Sequence, residues 1–173
     1  MSQLPLPVTL PPDSPQIKRQ LAFYSFQYIG IPLIFLLPLL AVLGVFGESF
    51  AVINATSADL ALRVDYPTRY RYGLINDMEV IVRNLSDEPI PDLTVSFSVD
   101  YINQFAFVTF TPSAELLTGE VYEVELEAVL PGESRRVRVE LQAQQYGLHS
   151  GTVSVRADSL EPVHVPVSTF VFP

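Results

Sequence analysis

VYEVELEAVLPGESRRVRVELQ, residues 121–142, alternates apolar and charged positions on either side of Pro131-Gly132. Period-two alternation marks a strand with one buried and one solvated face. Pro131 presets the φ of the second position of a type II turn, and Gly132 accepts the positive φ of the third. Folding outward from that turn predicts a hairpin. Leu126 would lie opposite Val137 and Val124 opposite Val139 on the inner face, with Glu127 opposite Arg136 and Glu125 opposite Arg138 outside. A slip of one residue would bury the charges, so the pattern sets the register. The charge run from Glu115 to Glu140 then reads as a solvated strand face and not as an acidic binding site.

The same alternation, bounded by turn residues, recurs through residues 59–173. It predicts strands at 60–66, 77–84, 92–100, 104–110, 121–129, 134–143, 151–157 and 163–172, and no convincing helical period accompanies them. The expected fold class is all-β: an antiparallel, immunoglobulin-like two-sheet sandwich of seven to eight strands.

Three segments carry a resemblance. VIVRNLSDEPIPDLTVSFSV (residues 80–99) resembles the second-to-third strand pattern of bacterial immunoglobulin-like domains of the cell-adhesion-related (CARDB-like) kind. AVLPGESRRVRVEL (128–141) is similar to their L-x-P-G-E hairpin, and YGLHSGTVSV (146–155) to their penultimate strand. The resemblance covers residues 59–173. It implies a sandwich with a contact-making, non-catalytic role and transfers no functional residue, because its motifs mark turns.

Working toward the N-terminus, ESFAVINATSA (48–58) reads as a short polar linker, and residues 20–47 contain no charge. The centre of that stretch, IGIPLIFLLPLLAVLGVF (29–46), is long enough as a helix to span roughly 27 Å, the hydrocarbon core of a bilayer. Phe23, Tyr24, Phe26 and Tyr28 precede it, and such rings favour the headgroup level. One transmembrane α-helix is therefore expected at 20–47. A cleavable signal peptide is the competing reading, with Ser49-Phe50-Ala51 as its cleavage site. Its apolar region would be far longer than the roughly 7–15 residues usual there, so an uncleaved signal anchor is expected. Lys18 and Arg19 place the N-terminus in the cytoplasm, and residues 59–173 in the periplasm or outside a bacterial inner membrane.

Pro32 and Pro38 remove backbone donors and are expected to kink the helix. Ala41, Gly44 and Gly47, spaced by three, would form a small-residue face for docking another membrane helix. Gly and Pro are also simply commoner in membrane helices than in soluble ones. Residues 1–19 hold Pro at 5, 7, 11, 12 and 15 and are expected to be extended, polyproline-like or disordered. Asp13 or Ser14 would then cap a helix with Pro15 at its first position.

Composition narrows the chemistry. The chain of 173 residues has a net charge of −9, a mean hydropathy of +0.30, no Cys, no Trp and two His. No disulfide, Cys-ligated metal or thiol nucleophile is available, and so acidic a chain lacks the Lys and Arg that bind nucleic-acid phosphates. Residues 59–173 carry 17 acids and 8 Arg, which is the whole net charge. His149, read as lying in a turn, and His164, in the last strand, have no ligand-spaced partners. Asp87, Glu88 and Asp92 cluster in a turn, but their order departs from the EF-hand loop. Asn54 and Asn84 open glycosylation sequons that matter only in a eukaryotic source. No nucleophile elbow or phosphate-cradling glycine loop occurs. No cofactor, metal, small-molecule substrate or catalytic residue is expected.

Two features remain for binding. Tyr66, Arg69, Tyr70, Arg71 and Tyr72, in YPTRYRY (66–72), are residue types enriched at interface hot spots. As a loop they serve either a protein interface or their own sandwich. Phe105 with Phe107, Phe110, and Phe170 with Phe172 are expected mostly in the core. The expected function is that of a structural accessory subunit of a larger bacterial membrane complex, photosynthetic or respiratory. Its partners would be integral membrane subunits and the lipid bilayer. The alternative is a free-standing anchored adhesion or cell-envelope binding module.

Overall fold

The computed structural model describes residues 15–44, 47–117, 121–157 and 160–173, with side chains from Gln27 onward except those of 116 and 117. The chain divides into two compact units, Met1–Phe46 and Gly47–Pro173.

The first unit contains helix α1, Pro15–Val42. It opens on Pro15, where a missing N–H costs nothing, and runs through Pro32 and Pro38. It ends earlier than the expected 20–47. The Gly44 N–H donates to the Ala41 carbonyl at 3.0 Å, and Gly44 adopts φ +74°. A glycine in the left-handed region just past the last turn closes a helix. Of Ala41, Gly44 and Gly47, only Ala41 is therefore helical, and the three do not form a stripe on one helix face. Among the described residues no helix is long and apolar enough to cross a membrane. The expected Pro-rich conformation of residues 1–14 lies outside the described residues.

The second unit is predominantly β. Its strands are β1 (Ser49–Thr56), β2 (Leu60–Arg71), β3 (Ile75–Asn84), β4 (Leu93–Ser98), β5 (Phe105–Thr111), β6 (Glu115–Leu117), β7 (Val121–Leu126), β8 (Ser134–Ala143), β9 (Gly147–Ala157) and β10 (Leu160–Phe172). A single-turn helix, α2 (Val99–Ile102), joins β4 to β5. The strands form a mixed, curled sheet in the order β5-β8-β3-β2-β10-β9-β4-β7-β6, with β1 beside β2. The long β2 makes the curl. Its first half pairs antiparallel with β3, and its last residues, Arg69 to Arg71, pair parallel with Phe170 to Phe172 of β10. The β5-β8-β3 half and the β10-β9-β4-β7 half face one another across one core that includes Val80, Val139, Phe97, Val124 and Val155. Burial of each such side chain contributes about 1.5–3 kcal/mol.

Two expectations change here. Residues 48–58 are not a linker, because β1 pairs with β2 along its whole length and packs Ala51, Ile53 and Ala55 against the core. The predicted β7–β8 hairpin does not form either. The turn itself is as expected: Gly132 has φ +76° and the Glu133 N–H donates to the Leu130 carbonyl at 3.0 Å. It is a corner between the two halves, however. β7 pairs with β4 and β6, whereas β8 pairs with β3 and β5. Val124, Leu126, Val137 and Val139 all face inward, as the alternation requires, but from opposite walls of the core. Alternation specifies which face is buried, and two strands facing each other across a core satisfy it as well as two neighbours do.

Candidate interaction surfaces

The charges of β8 find their counterparts on β3. Arg138 bonds Asp77 at 2.6 Å and Arg136 bonds Glu79 at 3.0 Å, while Arg63 bonds Asp65 at 3.0 Å on β2. The Asp77 carboxylate holds the Arg138 guanidinium above its usual range, and Asp65 does the same for Arg63. These exposed pairs form a solvated ladder on the outer face of the β8-β3-β2 half. Solvent screens pairs so exposed and leaves them little weight in stability, and they do not converge on a buried point.

The tyrosine–arginine segment is not a loop. Residues 66–71 lie in β2, with Tyr66 and Tyr70 buried in the core. Burial pushes the Tyr70 and Tyr101 phenols up. Tyr101 Oη lies 2.9 Å from Thr169 Oγ1, which donates to the Pro67 carbonyl at 2.7 Å. Tyr70 Oη and Asn76 Nδ2 are buried without a hydrogen-bond partner among the described residues. Arg69 Nε donates to the Gly47 carbonyl at 3.1 Å, and the Arg71 guanidinium lies 6.0 Å from the Phe172 ring centre. Tyr72 is half-exposed, its ring centre 4.8 Å from that of Tyr146. The five residues thus divide into core (Tyr66, Tyr70) and surface (Arg69, Arg71, Tyr72). A strand sends neighbours to opposite faces.

The phenylalanines divide too. Phe105 is buried, but a register shift between Phe105 and Phe107 leaves Phe107 exposed. Phe170 is also exposed, because the inward positions of β10 are Thr169 and Val171.

His149 is not in a turn. It lies buried on β9, its ring centre 6.0 Å from that of Phe105 and Nε2 3.0 Å from the Gln145 carbonyl. His164 is exposed on β10. Asn84 is fully buried: Nδ2 donates to the Glu88 and Val129 carbonyls, and Oδ1 accepts from the backbone N–H and hydroxyl of Ser86. Its sequon is closed to any modifying enzyme in the folded domain. The turn holding Asp87, Glu88 and Asp92 is shaped by this amide, and among the described residues no group of three or more His, Asp or Glu is placed to hold a metal.

Sequence reasoning passed over one feature. The turn residues Tyr72, Leu74 and Tyr146 and the strand residues Ile75 and Leu148 are exposed and apolar. The readable signal was the turns themselves, YGL and QQYG, which carry large apolar residues where polar ones are usual.

No family model and no curated protein matches the sequence. Among solved structures, the chain is similar to the CARDB domain of a Pyrococcus furiosus protein, at 17% identity over 65% of this chain and 94% of that one, TM-score 0.45. A crystal structure of that domain in complex with two metal ions matches at 14% identity over 72% and 89%, TM-score 0.42. A conjugative transposon lipoprotein from Bacteroides eggerthii matches at 14% identity over 69% and 95%, TM-score 0.42. At these TM-scores the likenesses assign no site and no activity to this chain.

Proposed function

We propose that the chain is a membrane-anchored, non-catalytic module: an immunoglobulin-like sandwich held at a bacterial inner membrane by the uncharged run 20–47, serving as an accessory subunit of a larger membrane complex. The observation that carries this reading is the uncharged run 20–47, most of it in α1, leading directly into the first strand of the β unit. The apolar side chains of α1, Ile34, Phe35 and Val42 among them, are exposed, as lipid-facing residues would be. No long spacer follows. β1 begins at Ser49, and Arg69 fixes Gly47 to β2. A module that reached outward for a distant ligand would gain from a stalk, whereas one that braces neighbouring subunits at the membrane surface gains from a short connection.

The test has two steps. Membranes are washed with alkaline carbonate, and the chain is expected to stay with the bilayer; its release would end the anchor reading. Gentle detergent extraction with a tag after Pro173 then follows. A stoichiometric set of integral membrane subunits is expected, and recovery of the chain alone would exclude the accessory role.

A further inference from the structure

The exposed apolar residues of the β unit are not scattered. Hydrogen bonds and register bring most of them to one end. Ser49 pairs with Arg69, Arg69 with Phe170, and Phe170 with Leu148. The Tyr72 N–H reaches the Phe172 carbonyl at 2.9 Å, the Tyr72 and Tyr146 rings touch, and Ile75 pairs with Gln142. Tyr72, Leu74, Ile75, Tyr146, Leu148 and Phe170 therefore surround the same tip, together with Phe50 of β1 and Phe107 of β5. Leu148 is 67% exposed. At the opposite end the turns display Asp59, Asp87, Glu88, Asp92, Glu133 and Glu161, with Leu85 and Leu130 as the exposed large apolar residues there among those described.

We propose that the apolar tip inserts into the headgroup layer of a lipid bilayer. This rests on the membrane-anchor reading above and adds to it the face that the domain turns to the lipid. Three observations select a bilayer over a protein partner. The apolar side chains occupy both outer faces and the turns between them, which suits a plane lying across the ends of the strands and not a groove in one sheet. The chain enters the domain at this tip, since Gly47 is bonded to Arg69 there, and the residues before it are the uncharged run. The residue types at the tip also fit: Tyr72, Tyr146 and exposed Arg71 stand there, where tyrosine favours the headgroup level and phosphate attracts guanidinium, with the exposed carboxylates of Glu48 and Asp77 at the same end. Long side chains bury their stems at such a boundary and keep their polar heads in water.

The chain has no tryptophan, so a single introduced one reports alone. The full chain is reconstituted in phosphatidylcholine–phosphatidylglycerol vesicles whose acyl chains carry bromine, a contact quencher of indole. Three variants are compared: Leu148→Trp at the tip, Leu130→Trp at the far end and Phe35→Trp in α1. All replace exposed side chains, and circular dichroism checks that each retains its strands. The expected result is loss of most emission at Phe35→Trp, a clear partial loss at Leu148→Trp and none at Leu130→Trp. Quenching at Phe35→Trp with Leu148→Trp matching Leu130→Trp would overturn the tip insertion and leave the anchor standing. No quenching at Phe35→Trp would overturn the anchor and the insertion together. A blue-shifted but unquenched Leu148→Trp would mean that protein covers the tip, which also overturns the proposal.

Discussion

Strand β3 carries a buried asparagine near each end, and the two are treated differently. Asn84, at the acidic end, uses its whole side chain. Its amide bonds two carbonyls and its oxygen accepts from Ser86 twice, while its backbone N–H reaches the Glu133 carbonyl and its carbonyl accepts from Gly132. One residue thereby ties the β3–β4 turn to the corner between β7 and β8. Asn76, at the apolar tip, leaves its amide nitrogen without a partner among the described residues, and so does the hydroxyl of buried Tyr70. The acidic end is polar inside and charged outside, and it is held by a closed network. The apolar tip is greasy outside and holds buried polar groups that are only partly satisfied. A buried polar group stabilises a fold when its partners are supplied and costs free energy when they are not.

The largest expected effect falls on the closed network. Asn84→Ala removes the amide's bonds to two carbonyls and frees the Ser86 turn; the Val129 carbonyl keeps the Ile90 N–H and the Glu88 carbonyl keeps the Ser86 hydroxyl, so the cost should be about 2 kcal/mol. Chemical denaturation would show this as a lower midpoint at unchanged slope, and a loss below about 1 kcal/mol would mean that water replaces the amide.

An intermediate effect is expected at Tyr101, whose hydroxyl shares Thr169 with Pro67. Tyr101→Phe should cost about 1 kcal/mol at neutral pH, since Thr169 retains its other bond. Its pH dependence has a definite sign. Burial raises the folded phenol above its unfolded value, so the stabilisation is complete below about pH 10 and is lost as the pH climbs toward the folded value. The melting temperature of the parent chain should fall above about pH 10, and less steeply in Tyr101→Phe. Parallel curves would contradict the assignment.

The smallest effect belongs to Tyr70→Phe. Removing a hydroxyl that has no partner should leave stability unchanged or raise it by up to about 1 kcal/mol. A clear loss would show that Tyr70 does bond, and the contrast between the two ends would disappear.

Much of the β unit was legible in its residues. Period two located most of the strands, and residues 134–143 match β8 at both ends. Pro131-Gly132 announced its turn. The strands that escaped were β1, with alanine at two inward positions, the second half of β2, where Pro67 interrupts the alternation, and β6, whose three residues are too few to show a period. Tyr66 and Tyr70 read equally as interface residues or as rings packed on their own sandwich, because tyrosine and arginine in sequence mimic a hot spot. Position on a strand, not residue type, sent the tyrosines inward.

By itself, then, the sequence determined the segregation of the chain into an uncharged run and an acidic β unit, and the face of each strand that is buried. These follow from hydrophobicity and local backbone geometry, which every short window of residues expresses. Only the tertiary structure decided which strands are neighbours, which charges meet, which asparagine is satisfied, and that scattered apolar turn residues share one tip. Those outcomes depend on contacts between residues distant along the chain. Alternation is indifferent to them, since it encodes what to bury and not against which strand.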